Sequence, residues 1–306
     1  MSSRILQENS DLLLTQANEP IANESFSASL IQETQEIERM LGGWSRRAYE
    51  VPDGKLVQAE REIQQTYGDK VSIDRKAKSL IKFGRSSPLT INTLETIWTV
   101  GGNESYVTDN TISFISSSSA SDTQQITIEG HTLADNKFTF VVQTATLNGQ
   151  NAVSLTTDLA RVSRMYNNGS TELAGRVVVY ENTTISGGIP TDATKIHIDI
   201  PQDFQQSFKA ATTFSNTDYY IMTGFYGAVS SKVSAAVDFY VEVRDVGKVF
   251  LPKGCFTASS DGGNSDIPLD PAIIVPKNAD VRIRAETPTN NAVAFGIFKG
   301  YIAKVL

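Results

Sequence analysis

The chain has 306 residues, 40% of them hydrophobic and 20% charged, with a formal net charge of −7. That length suits two or three domains, and that composition excludes a disordered chain. The negative charge argues against a protein that coats nucleic acid with its whole surface, and the single cysteine, Cys255, excludes an internal disulfide.

The longest apolar runs are short, such as 138-FTFVV-142 and 235-AAVDFYVEV-243. A membrane helix needs about 18 apolar residues, so no span is expected. The first residues, MSSRILQENSDLLLTQ, mix charges into their apolar positions and do not read as a secretory signal. A reducing cytoplasm is compatible with such a chain.

Residues 1–85 read as a polar helical arm. In 23-NESFSASLIQETQEIERMLGG-43 the residues Phe26, Leu30, Ile31, Ile37, Met40 and Leu41 form one apolar stripe on a 3.6-residue period, with Asn23 or Ser25 as cap and Gly42-Gly43 as stop. A second helix is predicted over 53–69, with Leu56, Ala59, Ile63 and Tyr67 on one side and Gly68 ending it. A third is predicted over 72–84, with Ile73, Ala77, Leu80 and Ile81 as its stripe. Such short helices need a surface to lie on: the β body, a sister subunit or another protein. Residues 70–85 also carry Lys70, Arg75, Lys76, Lys78, Lys82 and Arg85 against one acid, Asp74. This run is either the solvated face of a helix or a contact to an acidic partner. Phe26, Leu30, Ile37, Leu41, Lys76, Lys78, Lys82 and Arg85 are therefore the candidate partner-docking residues.

Beyond Pro88 the pattern changes to short strands separated by turn residues, with a brief turn through 93–98. Strands are predicted over 111–116, 124–130, 138–144, 152–157, 161–166 and 175–181. Asp135-Asn136, Asn148-Gly149 and Asn167-Asn168-Gly169 mark hairpins or loops between them. The Gly- and Thr-rich stretch 182–195 marks a domain boundary. Further strands are predicted over 196–200, 219–227, 235–243, 248–251, 272–275, 280–286 and 293–305. In 280–286, Val281, Ile283 and Ala285 alternate with Arg282, Arg284 and Glu286, the pattern of a half-buried antiparallel strand. The expected fold class is mainly β: an N-terminal helical arm over 1–85, then two antiparallel β-sandwich or jelly-roll-like domains over 86–192 and 193–306.

Chemistry is sparse. His131 and His197 have no Cys, His or carboxylate at metal-ligand spacing. No nucleophile elbow, phosphate loop or dinucleotide fingerprint occurs. Cys255 reads as a half-buried strand residue. Residues 261-DGGNSDIPLD-270 offer oxygen ligands without EF-hand spacing and read as a surface loop. A glycosidase needs paired carboxylates, and Asp199, Asp238 and Glu242 cannot be ranked for that role from sequence. No enzyme, cofactor or metal is expected. Aromatics cluster at 219-YYIMTGFYG-227; Tyr219, Tyr220, Phe225 and Tyr226 are core residues or a glycan or subunit contact.

The stretch 82-KFGRSSPLTINTLETIWTVGG-102 resembles one found in structural proteins of tailed bacteriophages, where "FGR" leads through a polar turn to "IW" and Gly-Gly. Residues 160–192 and 280–305 resemble the middle domain and last strand pair of that family. A departure is the turn 214-FSNTD-218, where family members often carry Pro-Ala-Gly, and residues 1–81 match nothing in the family. The resemblance implies a virion component without catalysis, assembled in the cytoplasm of a bacterial host. It would be docked by its arm on major capsid, tail or portal subunits, as a homo-oligomeric trimer or ring with no nucleic-acid or membrane partner. Capsid decoration or a head fibre is the favoured form. A tail fibre or adaptor, or a receptor-recognition carbohydrate-binding module, is the alternative.

Overall fold

A computed structural model describes residues 53–73, 79–262, 265–289 and 291–306. The helix predicted over 23–43, with Phe26, Leu30, Ile37 and Leu41, lies outside the described residues, as do Lys76 and Lys78.

The chain enters through helix α1 (Asp53–Tyr67). Three residues of its predicted stripe, Leu56, Ala59 and Ile63, are buried, while the fourth, Tyr67, is 44% exposed. Gly68 stops the helix in the left-handed region at φ +74°, its N–H donating to the Gln64 carbonyl at 3.0 Å. Strand β1 (Val71–Ile73) follows, then β2 (Ser79–Arg85) and β3 (Glu95–Thr96).

The helix predicted over 72–84 is thus corrected to two strands. Both pair antiparallel with β19 (Val293–Val305), with Ile73 opposite Ala303 and Phe83 opposite Ile297. The reason lies at Lys82 and Gly84, which face inward while Ser79, Ile81 and Phe83 face outward. A period-2 pattern carrying a buried lysine and a glycine in its apolar set is easily misread as a helical stripe. Gly84 is required: a Cβ there would stand 2.3 Å from the Ala210 nitrogen and 2.5 Å from the Ile97 carbonyl oxygen.

The chain then builds one sandwich and returns to complete the other. The inserted sandwich comprises β4 (Ile112–Ser117), β5 (Gln125–Ala134), β6 (Lys137–Thr146), β7 (Val153–Leu159), β8 (Arg161–Asn167), β9 (Val177–Glu181) and β12 (Ile196–Ile200). A small hairpin, β10 (Ile185–Ser186) and β11 (Ile189–Pro190), packs against it through Ile185 and Ile189. One sheet runs β12-β9-β4-β7 and the other β6-β5-β8. Ile115, Ile126, Ile128, Val162, Met165, Val177, Val179 and Ile198 fill the space between them.

The second sandwich uses β13 (Ala211–Thr213), β14 (Asp218–Ser230), β15 (Ala236–Asp245), β16 (Leu251–Ser259), β17 (Ser265–Val275), β18 (Ala279–Glu286) and β19. One sheet is β1-β19-β14-β17 with β2 beside β19; the other is β13-β18-β15-β16 with β3 beside β18. Strands β14 and β15 lie between β18–β19 on one side and β16–β17 on the other, a jelly-roll-like wrap in which all pairings are antiparallel. Its core includes Tyr220, Met222, Phe225, Val237, Phe239, Val281, Ile283 and Phe298.

The expected boundaries at residues 85 and 192 therefore move. Residues 71–73 and 79–98 belong to the second sandwich, where the Leu89 and Ile97 N–H groups donate to the Ala292 and Ile283 carbonyls. Strand β12, beyond residue 192, pairs with β9 in the inserted one. Within the inserted sandwich, Asp135-Asn136 makes the predicted tight hairpin, both residues having positive φ (51° and 57°). Asn148-Gly149 instead turns a corner from β6 in one sheet to β7 in the other.

In the second sandwich, the strand predicted over 248–251 begins at Leu251, and the loop predicted over 261–270 is strand from Ser265. Pro268 and Pro271 suit β17 because it is an edge strand. Ile267 and Leu269 pack on the core while Asp266, Pro268 and Asp270 face out. Cys255 is exposed rather than half-buried.

Candidate functional site

The two sandwiches meet along a polar seam. Residues 205–210 run between them: the Ser207 N–H donates to the Met165 carbonyl of β8, and the Ala210 N–H to the Ile97 carbonyl beside β3. Lys209, on this segment, is 2% exposed. Its ammonium donates to Glu104 Oε1, to the Val162 carbonyl at 2.7 Å and to the His197 carbonyl at 3.0 Å. It also sits 5.7 Å from the Trp98 ring centroid. Burial holds the Lys209 pKa below the usual lysine value, while Glu104 pulls against that shift. The pair thus joins the residue 99–111 crossover, the return segment and two strands of the inserted sandwich.

A second knot lies on Asp280, fully buried at the start of β18. Arg161 of β8 donates to it through Nε at 3.0 Å, Arg244 of β15 through Nε at 2.9 Å and Thr213 through Oγ1 at 2.6 Å. Burial pushes the Asp280 carboxyl up, but Arg161, Arg244 and Thr213 together bring it below its ordinary value. Cations and rings then alternate outward. The Arg161 guanidinium lies 5.0 Å from the Tyr106 ring, Arg244 lies 4.1 Å from Tyr106 and 4.4 Å from Phe250, and Arg282 lies 3.7 Å from Phe250. Glu242 neutralises the far end, accepting from Arg282 Nε at 2.7 Å and Arg284 Nε at 2.8 Å. Each charge in this ladder is both paired and hydrogen-bonded, the condition under which buried ions are tolerated.

Beside the seam, a cleft of about 440 Å³ opens between β2, β13, β14 and β19 on one side and β5, β6 and β8 on the other. Lys82, His131 and Ser163 line it, all buried, with Phe83, Phe140 and Phe214 among its apolar walls. The Lys82 ammonium donates to the Ser163 carbonyl. Burial first, with Lys209 and Arg164 adding repulsion, lowers its pKa to about 7. His131 Nδ1 and Ser163 Oγ have no hydrogen-bond partner. Burial depresses the His131 pKa to about 4, so the ring is neutral at pH 7.

The sequence-predicted site residues fall in different places. Lys82 is corrected from an exposed docking cation to a buried side chain bonded within its own chain. Arg85 is half-buried, with its guanidinium 5.7 Å from the Phe295 ring. Tyr219 and Tyr220 have no exposed surface and Phe225 is 3% exposed, so the glycan or subunit contact predicted for them is corrected to packing. Tyr220 and Phe225 are core. Tyr219 faces the opposite side of β14, against the Tyr67 ring at 5.3 Å, and donates to Asp69 at 2.7 Å. Tyr226 is half-buried. The carboxylates weighed for hydrolysis are engaged elsewhere: Asp199 with Arg176 at 2.8 Å, Asp238 with Thr257, and Glu242 with two arginines. Glu104, Tyr106, Arg161, Lys209 and Asp280 went unnoticed. Partners 105 and 119 residues apart leave no local pattern.

Two apolar pairs point outward. Phe140 and Val142, 49% and 55% exposed, lie on β6, an edge strand. Val249 and Leu251, 75% and 54% exposed, flank Phe250, whose ring is turned in against Arg282.

No known family profile matches this chain, and no curated protein matches it. Among solved structures, it aligns with that of infectious bursal disease virus Gt strain at 8% identity and a TM-score of 0.18, covering 76% of this chain and 73% of the other. The infectious bursal disease virus VP2 subviral particle aligns at 10% identity and a TM-score of 0.18, covering 81% and 77%. Scores this low do not establish a shared fold.

Proposed function

We propose that this chain is an accessory structural protein of a tailed-phage virion, a capsid decoration or head-fibre subunit that works by assembly rather than catalysis. The observation that carries this reading is the seam. Lys209–Glu104 and Arg161–Asp280–Arg244 fasten two sandwiches into one block, and the chain crosses between them twice. A unit whose two sandwiches are tied by these ion pairs suits a building block that must hold its shape while many weak contacts add up across a particle. The sequence resemblance over residues 82–102, 160–192 and 280–305 supports the same reading.

In this reading, docking on capsid or tail subunits falls to the segment with Phe26, Leu30, Ile37 and Leu41, because residues 53–73 and 79–85 pack on the chain's own second sandwich. Lys76 and Lys78 contribute positive charge to the docking in this reading. Phe140/Val142 and Val249/Leu251 are the contacts to neighbouring copies in a trimer or ring. The virion is its location and the bacterial cytoplasm its place of assembly.

Two measurements test this. Antibody labelling of purified particles should place the chain on the virion surface, and light scattering should give a closed oligomer. A chain that stays monomeric at high concentration and is absent from particles would refute the reading.

A further inference from the structure

We propose that the cleft between the sandwiches is a ligand site for a small molecule with an oxyanion head on an apolar body, the head seated against Lys82. The argument starts from charge. Five charged side chains line the cleft. Glu129 lies 3.8 Å from Arg164, and Asp218 lies 3.0 Å from Lys304, so the four near the rim are matched. Lys82 is the unmatched cation. Among the described residues no carboxylate lies within ion-pair distance of it, and one backbone carbonyl accepts from a group with three N–H donors. A buried ammonium without a counter-ion is costly, and an incoming carboxylate or phosphate relieves that cost.

The neighbouring polar atoms extend the argument. Ser163 Oγ and His131 Nδ1 are both buried and both unpartnered, on residues that line the same space. A protein interior rarely leaves two such atoms idle. With the Lys82 ammonium, which bonds the Ser163 carbonyl, they give the cleft lining a cation, a hydroxyl and an imidazole for an oxyanion.

The rest of the lining fixes the other half of the ligand. Leu80, Phe83, Phe140, Phe214 and Ile302 supply apolar wall. Phe140 meets His131 edge-on at 5.3 Å, closing the wall over the polar end. The volume is in the range of small-molecule cavities, and apolar walls with a few convergent polar groups are their usual composition. This inference does not depend on the virion reading, since a decoration protein and a free protein could both carry the site.

The test uses the full chain and four probes: 4-phenylbutyrate, phenyl phosphate, inorganic phosphate and the uncharged 4-phenylbutyramide. Calorimetry should show saturable 1:1 binding of one or both aryl anions, with phosphate alone and the amide much weaker. Comparing the two aryl anions identifies which oxyanion is preferred. Lys82→Met should weaken binding by about tenfold or more, since a hydrogen bond to a charged partner is lost. Lys248→Met, an exposed lysine that does not line the cleft, should leave it nearly unchanged. Acetylation of the unaltered protein, mapped by peptide mass, reads the site without relying on a variant: a bound anion should slow modification of Lys82 several-fold and leave exposed Lys248 unaffected. Binding of neither aryl anion would overturn the proposal, as would binding that leaves Lys82 equally reactive. Phosphate binding as tightly as phenyl phosphate would overturn the apolar half.

Discussion

If Lys209–Glu104 is a fastener between the sandwiches, removing the carboxylate alone should be far worse than removing both charges. Glu104→Gln keeps the shape but leaves the Lys209 ammonium, 2% exposed, with two carbonyls and no counter-ion. Breaking a buried pair in this way costs about 3–5 kcal/mol. For a domain of this size that lowers Tm by roughly 10 °C. Glu104→Gln with Lys209→Met removes the stranded charge and should recover most of the loss, giving a coupling well above 1 kcal/mol in a double-mutant cycle. The pH dependence supplies a second check. Lys209 already titrates below its ordinary 10.5 because it is buried, and Glu104 is a cause that holds it up. Without Glu104 it falls further. Between its folded and unfolded pKa values the unfolded chain binds the extra proton, so stability rises with pH. In the interval between the variant's lower folded pKa and the wild-type one only the variant gains, so the Glu104→Gln deficit should shrink as pH rises through that interval. Urea unfolding followed by circular dichroism measures all four proteins. A single-variant cost under 1 kcal/mol, or additive effects, would mean that the seam does not carry the join.

His131 should make the fold acid-sensitive. Its pKa is about 4 when buried and near 6.5 in the unfolded chain, so its contribution is complete above pH 6.5 and is lost as pH falls toward 4, up to about 3 kcal/mol. His131→Gln should flatten the Tm profile between pH 7 and pH 4, and an unchanged slope would assign the acid sensitivity elsewhere. Gly84→Ala should destabilise by about 1–3 kcal/mol or more, because the added methyl meets backbone on both sides and neither atom is the end of a flexible side chain; a fully stable variant in chemical denaturation would contradict the packing of β2. Val249→Ser with Leu251→Ser should change stability by no more than about 0.5 kcal/mol while reducing self-association seen by sedimentation. Unchanged association would remove that loop from the interface.

Much of the fold could be read along the chain because its strands announce themselves by alternation. Strands β12 and β19 have the predicted limits, Ile196–Ile200 and Val293–Val305. Helix α1 was legible because Leu56, Ala59 and Ile63 repeat with the right period before a stopping glycine. The errors share a cause: a local pattern is silent about what lies across from it. Leu80-Ile81 fits a helix as well as a strand, and only β19 decides, by pairing with residues more than two hundred positions earlier. Asn148-Gly149 is a turn in either case. Whether it makes a hairpin or a corner depends on which sheet receives the next strand. Residues 261–270 read as a loop, but from Ser265 they form β17, an edge strand, where Pro268 and Pro271 are tolerated.

The site was less legible than the fold for a stricter reason. An ion pair that holds two domains together is built from residues that single-sequence patterns treat as surface. Lys82, Lys209 and Arg161 look like solvated cations in their own segments, yet their relative exposures are 8%, 2% and 6%. What buries them is the insertion of one sandwich into the other, a property of chain routing that no window of residues contains. The same routing separates the two cationic sites. Lys209 and Arg161 face carboxylates brought from the crossover and from β18, so their charges are closed off within the protein. Lys82 reaches the same boundary from β2 and finds a carbonyl, an idle hydroxyl and an open cleft. Lys209 and Arg161 thus close the structure, and Lys82 leaves it open to a ligand.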